Sequence, residues 1–252
     1  MEIYSYSRIK TFENCPLTYR YRYIDRIKVD TEGIEAFMGS RVHESLKKLY
    51  RDDLWDKESS LKSLLDFYHS NWEKNWHDSV IIVRKEYSKE HYREIGRRSL
   101  EQYYKRYFPF DQAEICALEK RIEIPLDDFR FVGYIDRLSR RVDGTYEVHD
   151  YKTSSRLPLQ RDIDEDWQLA IYQLGLQDIW DDVNDVDLIW HYLVFDKEFR
   201  SKRSPEILES LKREIISKIN DIEDTIDFEP KESMLCRWCA YQNLCSVGKR
   251  SF

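Results

Sequence analysis

The sequence predicts one α/β domain, residues 1–252, built on a mixed sheet with helices added before it and a cysteine-rich segment after it. Segments with helical periodicity fill the first half of the chain, and segments with strand-like alternation follow Pro109. Short polar turns join the first three of these strands. Because hairpin turns make neighbouring strands antiparallel, the pattern excludes a purely parallel, doubly wound sheet.

Amphipathic segments in the first half predict helices, since their apolar residues recur at the spacing that places them on one helix face. These segments are residues 38–56, 60–77 and 87–107. The second and third of them account for a predicted helical insertion at residues 55–110.

Alternating residues with many β-branched and aromatic side chains predict the strands of the sheet core, residues 113–200. The first three strands are expected at residues 113–125, 129–141 and 145–153. A helix follows at 165–180, a strand at 186–195 and an amphipathic helix at 204–226, for which Ser204 is the expected N-cap. The predicted order of the core is therefore α-β-β-β-α-β.

The net charge of −7 is distributed unevenly along the chain. Residues 161–196 hold ten acids and one base, so the rest of the chain is weakly basic. The segment 84–106 carries eight lysines and arginines against four glutamates, which is typical either of a solvated helix face or of a groove that follows phosphates. We expect the groove to be lined by Arg93, Arg97 and Arg98. The acids expected to lie away from it are Asp178, Asp181, Asp182, Asp185 and Asp187.

Sequence patterns of several other protein classes are missing. The seven glycines spell neither a dinucleotide-binding GxGxxG nor a Walker A loop, so any ATPase activity would come from a partner. The first residues lack the apolar segment of a secretory signal, and no apolar run approaches the roughly 18–20 residues that a membrane helix needs. We therefore expect a cytoplasmic protein without membrane association, whose cysteines stay reduced.

The cysteine pattern near the end of the chain predicts a metal site. Cys236 and Cys239 have the Cys-x2-Cys spacing that holds one metal through a tight turn, and Cys245 can add a third ligand. For the fourth ligand we favour Cys15, which precedes a proline at a turn, over Cys116, which lies in an apolar strand where cysteine is commonly buried. Spacing alone does not separate zinc from an iron–sulfur cluster, and unconnected reduced cysteines are the alternative to both.

Two acids and a lysine are predicted to meet on adjacent strands. Asp136 lies within the second strand, and Asp150 and Lys152 end the third. Residues two apart in a strand face the same side, so Asp150 and Lys152 point together and Tyr151 points to the opposite face. Because buried carboxylates need a neutralising cation, this group favours a site for Mg²⁺ or Mn²⁺ over an ordinary surface ion pair.

Two helical pairs add polar groups to this picture. Gly39-x3-His43 is expected to open the first long helix, which would place His43 in its first turns. Gln168 and Tyr172 are spaced to lie on one face of the helix that follows the third strand.

Together these motifs resemble the RecB-like branch of the PD-(D/E)XK nuclease superfamily. That branch includes the CRISPR-associated adaptation exonucleases and the AddB-type nuclease domains with an iron–sulfur clip. The matching motifs occur in family order: Ser7 to Pro16 with Tyr19 and Tyr23, Gly39-x3-His43, Gly133-x2-Asp136-Arg137, Asp150-Tyr151-Lys152-Thr153, Gln168-x3-Tyr172, and Cys236-x2-Cys239-x5-Cys245.

The resemblance implies a restriction-endonuclease-like core and a role for each matching residue. The residues similar to the ligands of the catalytic Mg²⁺ or Mn²⁺ are His43, Asp136, Asp150 and, through its carbonyl, Tyr151, with Glu119 as a further acid near the site. Lys152 resembles the residue that positions or deprotonates the attacking water. Gln168 and Tyr172 resemble residues that support the site and contact DNA. Cys15, Cys236, Cys239 and Cys245 match the ligands of a [4Fe–4S] cluster, which would clip residues 228–252 to the N-terminal segment.

The sequence therefore predicts a metal-dependent deoxyribonuclease, an exonuclease on single-stranded DNA or DNA ends that works with a helicase or a CRISPR adaptation integrase. Arg137 is a further candidate DNA contact, and the aromatic-basic run 19–23 either stacks bases or packs around Cys15. One alternative is a non-catalytic, cluster-bearing DNA-binding subunit of a recombination, repair or CRISPR adaptation complex. Another is an interaction module clipped by zinc.

Overall fold

The computed structural model describes residues 2–54, 60–177, 183 and 185–247. The helices are α1 (Tyr6–Asn14), α2 (Pro16–Tyr19), α3 (Ile34–Leu54), α4 (Leu61–Asn75), α5 (Lys89–Tyr107), α6 (Gln160–Glu165), α7 (Gln168–Gln177) and α8 (Pro205–Glu223). The strands are β1 (Ile3–Tyr4), β2 (Glu32–Gly33), β3 (Val80–Ile81), β4 (Glu114–Leu126), β5 (Phe129–Arg140), β6 (Tyr146–Lys152), β7 (Val186–Tyr192) and β8 (Lys197–Ser201).

The central sheet is mixed, as the sequence predicts. Strands β4, β5 and β6 form the expected antiparallel meander, and β7 lies parallel to β6 because α7 crosses back between them. β4 covers one edge of β5 along its length, whereas β1 and β6 share the other edge at opposite ends. β2 and β3 form a separate two-stranded pair.

The end of the sheet departs from the prediction. The strand expected at 186–195 stops at Tyr192, and residues 193–195 form a 3₁₀ turn. Asp196 then takes a left-handed conformation, with φ of 47°, that turns the chain into β8. The sequence gives no strand signal there, because the β8 residues are mostly charged.

The helices form close to the predicted segments, with one correction. α3 begins at Ile34, so Gly39 lies inside it, and the expectation that Gly39 opens the helix with His43 in its first turns is wrong. A glycine suits this interior position because the helix passes close to the sheet: a Cβ on Gly39 would lie 3.1 Å from Thr153 Oγ1. Ser204 caps α8, as expected.

Two apolar cores lie on the two faces of the sheet. The first contains buried residues of α1, α7 and α8, and the second contains those of α3, α4 and α5. Tyr151 belongs to the second core, on the face opposite to Asp150, as the alternation of the strand predicts. Within the described part of the chain, no helix combines the length and the apolar character needed to cross a bilayer.

Candidate active site

The candidate site forms where β5 and β6 separate. Their pairing ends at Arg137 and His149. Beyond that point the side chain of Asp136 replaces the main chain of β5 as the partner of β6, because the Tyr151 N–H donates to Asp136 Oδ2 at 2.8 Å. This arrangement fixes one carboxylate against the end of β6 and leaves a gap between the strands.

The side-chain alternation of β5 breaks at Asp136. Ile135 faces the first core, whereas the guanidinium of Arg137 lies over the ring of Tyr50 in the second core. In a regular strand, residues two apart share a face. Since Ile135 and Arg137 face opposite cores, the strand is irregular at Asp136. The irregularity lets Asp136 turn its carboxylate toward α3.

Glu119 lies opposite Asp136 on β4. The neighbouring pairs are Leu118 with Arg137 and Lys120 with Ile135, and between them Glu119 adopts a left-handed conformation with φ of 49°. For a residue other than glycine, such a conformation costs roughly 1–3 kcal/mol and is frequent at functional sites. Here it brings the Glu119 carboxylate to the side of the sheet on which Asp136 lies.

His43, Glu119 and Asp136 are placed to share a metal ion. Their potential ligand atoms all lie within 4.8 Å of one another. His43 Nδ1 is 3.4 Å from Asp136 Oδ1, and His43 Nε2 is 2.7 Å from the carbonyl oxygen of Tyr151. Three of the predicted ligands therefore meet, and Glu119 joins them.

The charges of this group fit a divalent cation. Burial alone would lower the pKa of His43, but the Asp136 carboxylate, together with Asp150, raises it to about 9. Burial and the charge of Asp136 raise the pKa of Glu119. In this cluster His43 is therefore protonated at neutral pH, and the carboxylates of Glu119 and Asp136 repel each other. A cation bound there would displace the proton and offset the repulsion.

Asp150, Lys152 and Gln168 form a second polar group beside the first. Lys152 Nζ lies 2.7 Å from Asp150 Oδ2 and donates to Gln168 Oε1, also at 2.7 Å. Gln168 Nε2 donates to Asp150 Oδ1 at 2.9 Å. Burial raises the pKa of Asp150, which Lys152 opposes. For Lys152, burial favours the neutral amine, but Asp150 outweighs it and raises the pKa, so the side chain is an ammonium at neutral pH.

Tyr172 fixes the distance between α7 and β5, on which the contacts among Asp150, Lys152 and Gln168 depend. Its ring lies directly on Gly133, where a Cβ would come within 2.1 Å of Tyr172 Cε1. The glycine of the Gly-x2-Asp motif is thereby explained by packing. Tyr172 is buried, so it supports the site and does not offer its ring to a substrate.

Two supporting residues were not predicted. Asp166 accepts the backbone N–H of Gln168 at 2.8 Å, and its other carboxylate oxygen accepts from the Tyr6 hydroxyl at 3.3 Å. Asp166 thus caps the start of α7, and an acid two residues before the helix was the available signal. Tyr6 carries no sequence signal, because its contact joins residues 160 positions apart.

The predicted DNA contact of Arg137 is wrong. Its side chain is buried, stacked over Tyr50 and donating to His149 Nδ1 at 2.8 Å. A guanidinium inside the second core cannot meet a phosphate in solution, so Arg137 serves packing.

The predicted DNA contacts on α5 already have carboxylate partners. Arg93 pairs with Glu73 at 2.7 Å, Arg97 with Glu94 and Glu101, and Arg98 with Glu94. Ion pairs of this kind are typical of a solvated helix face, the other interpretation of this basic segment. A role of these three arginines in DNA binding stays a prediction.

The four cysteines of the predicted cluster line one cavity of about 330 Å³ between α1–α2 and the C-terminal segment. Backbone N–H groups of Lys231 and Ser233 donate to Cys15 Sγ and Cys236 Sγ at 3.4 and 3.5 Å. Burial favours the neutral Cys15 thiol, but hydrogen bonds from Lys231, Thr18 and Leu17 outweigh it and lower the pKa of Cys15. Cys116 is exposed, so the expectation that it is a buried apolar residue is wrong.

The aromatic-basic run 19–23 packs around this segment. Tyr19 is buried with its ring stacked 6.0 Å from that of Phe228. The Tyr21 hydroxyl donates to the carbonyl of Leu244 at 3.2 Å. These contacts favour packing over base stacking for the run.

Comparison with known proteins adds the family context. A model of the PD-(D/E)XK nuclease superfamily matches residues 3–246. Among solved structures, the chain is similar to a candidate exonuclease from Eubacterium rectale, with a TM-score of 0.52 and 11% identity over 100% of this chain and 88% of that one. It is also similar to SSO0001, with a TM-score of 0.42 and 15% identity over 98% and 87%. No curated protein matches the sequence.

Proposed function

Because the chain belongs to the PD-(D/E)XK nuclease superfamily, we propose that it is a metal-dependent deoxyribonuclease, an exonuclease on single-stranded DNA or DNA ends. The observation that carries the proposal is the meeting of His43, Glu119 and Asp136 within 4.8 Å, beside the ion pair of Asp150 and Lys152. Metal-assisted hydrolysis of a phosphodiester can use both functions, a cation that polarises the phosphate and a positioned ammonium that stabilises developing charge. The RecB-like branch and a helicase or CRISPR integrase partner stay predictions.

The proposed ligands of Mg²⁺ or Mn²⁺ are His43, Asp136, Asp150, the carbonyl of Tyr151 and Glu119. One imidazole among oxygen donors suits these ions, and the clustered carboxylates need a cation to offset their repulsion. When bound, the ion would polarise the scissile phosphate and lower the pKa of a water. Asp136 holds the end of β6 through the Tyr151 N–H, so this ligand also sets the position of the Tyr151 carbonyl.

Lys152 acts in this proposal as a charged hydrogen-bond donor. Its raised pKa makes it a poor proton acceptor at neutral pH, so it positions the attacking water and stabilises the charge that develops on the phosphate. Gln168 accepts from Lys152 and donates to Asp150, which holds both in place. The products would carry a 5′-phosphate and a 3′-hydroxyl.

The test compares purified wild type with Lys152→Ala on end-labelled single-stranded DNA with and without Mn²⁺. We expect Mn²⁺-dependent degradation by the wild type and a loss of about 100-fold or more in the variant, the usual effect of removing such a donor. Lys202→Ala is the matched control, since Lys202 pairs with Asp185 on the surface. It should leave the rate unchanged. Equal rates of degradation by Lys152→Ala and wild type, with unchanged thermal stability, would reject the mechanism, and no degradation by the wild type would favour a non-catalytic DNA-binding subunit.

We further propose that Cys15, Cys236, Cys239 and Cys245 ligate a [4Fe–4S] cluster. A single zinc ion held by the four thiolates is the alternative occupant. Their common cavity and the N–H donors to sulfur support a larger, anionic group.

A further inference from the structure

A second cleft opens beside the candidate site, where β6 ends. It has a volume of about 360 Å³ and is bounded by Thr153, Ser154 and Ser155, which directly follow Lys152. The opposite wall comes from α5 and from the loop before it, including Arg84, Tyr87 and His91. The proposed nuclease function assigns no role to this cleft.

The cleft adjoins the metal side of the site. A separate cleft of about 350 Å³ is lined by Gly39, His43 and Glu119. Gly39 lies against Thr153, where an added Cβ would come within 3.1 Å of Thr153 Oγ1. Because Gly39 borders one cleft and Thr153 the other, the two clefts are neighbours that meet at this contact.

The second cleft carries an exposed aromatic platform. The rings of Tyr87 and His91 are stacked with centroids 4.1 Å apart and an angle of 8° between their planes. Tyr87 is 36% exposed, so its ring is accessible from the cleft. Tyr92 lies behind the platform and donates to Glu35 Oε1 at 3.2 Å, which joins α5 to α3. The platform therefore rests on a fixed wall.

The cleft also has a positively charged side chain at its rim. Arg84 is exposed at its rim, and no ion pair among the described residues includes its guanidinium. Arg93, Arg97 and Arg98, further along α5, are all paired with carboxylates. Arg106 also pairs with a carboxylate, that of Asp196, so within the described part of the chain Arg84 is the arginine of segment 84–106 whose charge is available to an anion.

We propose that this cleft binds the single-stranded part of the DNA substrate, with a base stacked on Tyr87 and His91 and a backbone phosphate at Arg84. Aromatic stacking beside a cationic contact is the general way in which proteins hold single strands without reading their sequence. Bases inside a duplex have both faces covered by their neighbours, so the platform selects single strands. The inference rests on the proposed nuclease function, because that function places the scissile phosphate at Lys152, the residue that precedes Thr153.

The test measures binding without cleavage. Fluorescence anisotropy with labelled oligothymidylate in EDTA gives the Kd of wild type, Tyr87→Ala, Tyr87→Phe, His91→Ala and Arg84→Gln. We expect Tyr87→Ala and His91→Ala to weaken binding by about five- to twentyfold and Tyr87→Phe to leave it unchanged, since only the ring is needed. Arg84→Gln should lower the slope of log Kd against log salt by about one.

Matched controls are Phe108→Ala, an exposed aromatic residue outside the cleft, and Arg213→Gln on α8, on the other face of the sheet. Both should bind as wild type does. Equal Kd for Tyr87→Ala and wild type, equal losses in the controls, an equal loss with duplex DNA, or no binding by wild type would each overturn the inference. The nuclease assay of Lys152→Ala decides the proposed function separately, because it reads cleavage and this test reads affinity.

Discussion

The surroundings of His43 favour its protonated form, whereas its proposed role as a metal ligand needs the neutral form. Its Nε2 faces the carbonyl of Tyr151 at 2.7 Å and its Nδ1 faces Asp136 at 3.4 Å, so both ring nitrogens meet oxygen atoms. With both acceptors present, the protonated imidazole is favoured, and its pKa rises to about 9 despite burial. A metal ligand must be the neutral imidazole. Metal binding at neutral pH therefore competes with a proton.

This competition predicts a pH dependence of metal affinity. Below pH 9, His43 must lose a proton before it binds Mn²⁺, so the affinity should rise about tenfold per pH unit from pH 7 toward 9 and then level off. Isothermal titration calorimetry at pH 7 in two buffers of different ionisation enthalpy should show close to one proton released per Mn²⁺. His43→Gln should bind more weakly and release none. Wild-type binding without proton release would contradict the assignment.

At the scale of residues, the sequence identifies the groups whose spacing is local. Asp150 and Lys152 lie two apart in one strand, and their contact follows from alternation. The approach of Glu119 to Asp136 depends on a left-handed residue inside a strand, which no spacing shows. Arg137 illustrates the converse, because an arginine in a motif was expected at the surface and lies in the core.

At the scale of elements, the site depends on how closely α7 approaches β5. Gln168, at the first turn of α7, bonds to both Asp150 and Lys152, and Tyr172 one turn later lies on Gly133. Any side chain at position 133 would lift the helix from the strand. The distance between the two elements is therefore set by a glycine.

Gly133→Ala should destabilise the fold and slow cleavage. The added Cβ would overlap the ring of Tyr172, and such overpacking typically costs about 1–3 kcal/mol. Chemical denaturation measures the free energy of unfolding, and the nuclease assay measures the rate. Gly33→Ala is the control, since a Cβ there meets only Glu35 Oε2 at 3.7 Å.

A double mutant separates the overlap from a general glycine effect. If the overlap is the cause, Gly133→Ala should destabilise a Tyr172→Ala background much less than it destabilises wild type. Equal losses in both backgrounds would contradict the packing argument.

The order of the central elements was predictable, whereas their ends were not. Alternation marks β4, because its residues 121–126 are exposed and buried in turn, and polar turns mark its connection to β5 and that of β5 to β6. The start of α3 at Ile34 was missed because Gly39 was taken as a helix boundary. A glycine suits position 39 because α3 lies against Thr153 there, and a local sequence pattern cannot show such a tertiary contact.

At the scale of the whole molecule, the acids at the start of β7 and the candidate site lie at opposite ends of two parallel strands. Asp185 and Asp187 lie at the start of β7, parallel to β6, and pair with Lys202. The candidate site lies at the other end of β6, so these two acids are at the opposite end of the strand pair, as expected. Asp178, Asp181 and Asp182 lie outside the described residues. Net charge alone therefore says little about an acidic chain that is proposed to act on DNA.

The C-terminal segment has little apolar packing of its own. Within residues 229–247, Tyr241 is the one buried side chain, while Met234, Leu235 and Leu244 are exposed. Its contacts with the N-terminal helices otherwise centre on the cysteine cavity. A cluster in that cavity would join positions that are more than 200 residues apart, and closing so long a loop stabilises a fold by restricting the unfolded chain.

Cys239→Ser should therefore remove both the cluster and a large part of the stability. Purified without oxygen, the wild type should be brown, with iron and sulfide in equal amounts, and the variant should lack colour. By comparison with other long cross-links, we expect a loss of about 2–5 kcal/mol, which for a chain of this length lowers Tm by roughly 5–15 °C. Cys116→Ser, outside the cavity, should change neither colour nor Tm. A colourless wild type that contains zinc would reject the cluster, and an unchanged Tm in Cys239→Ser would show that the chain ends are held by packing alone.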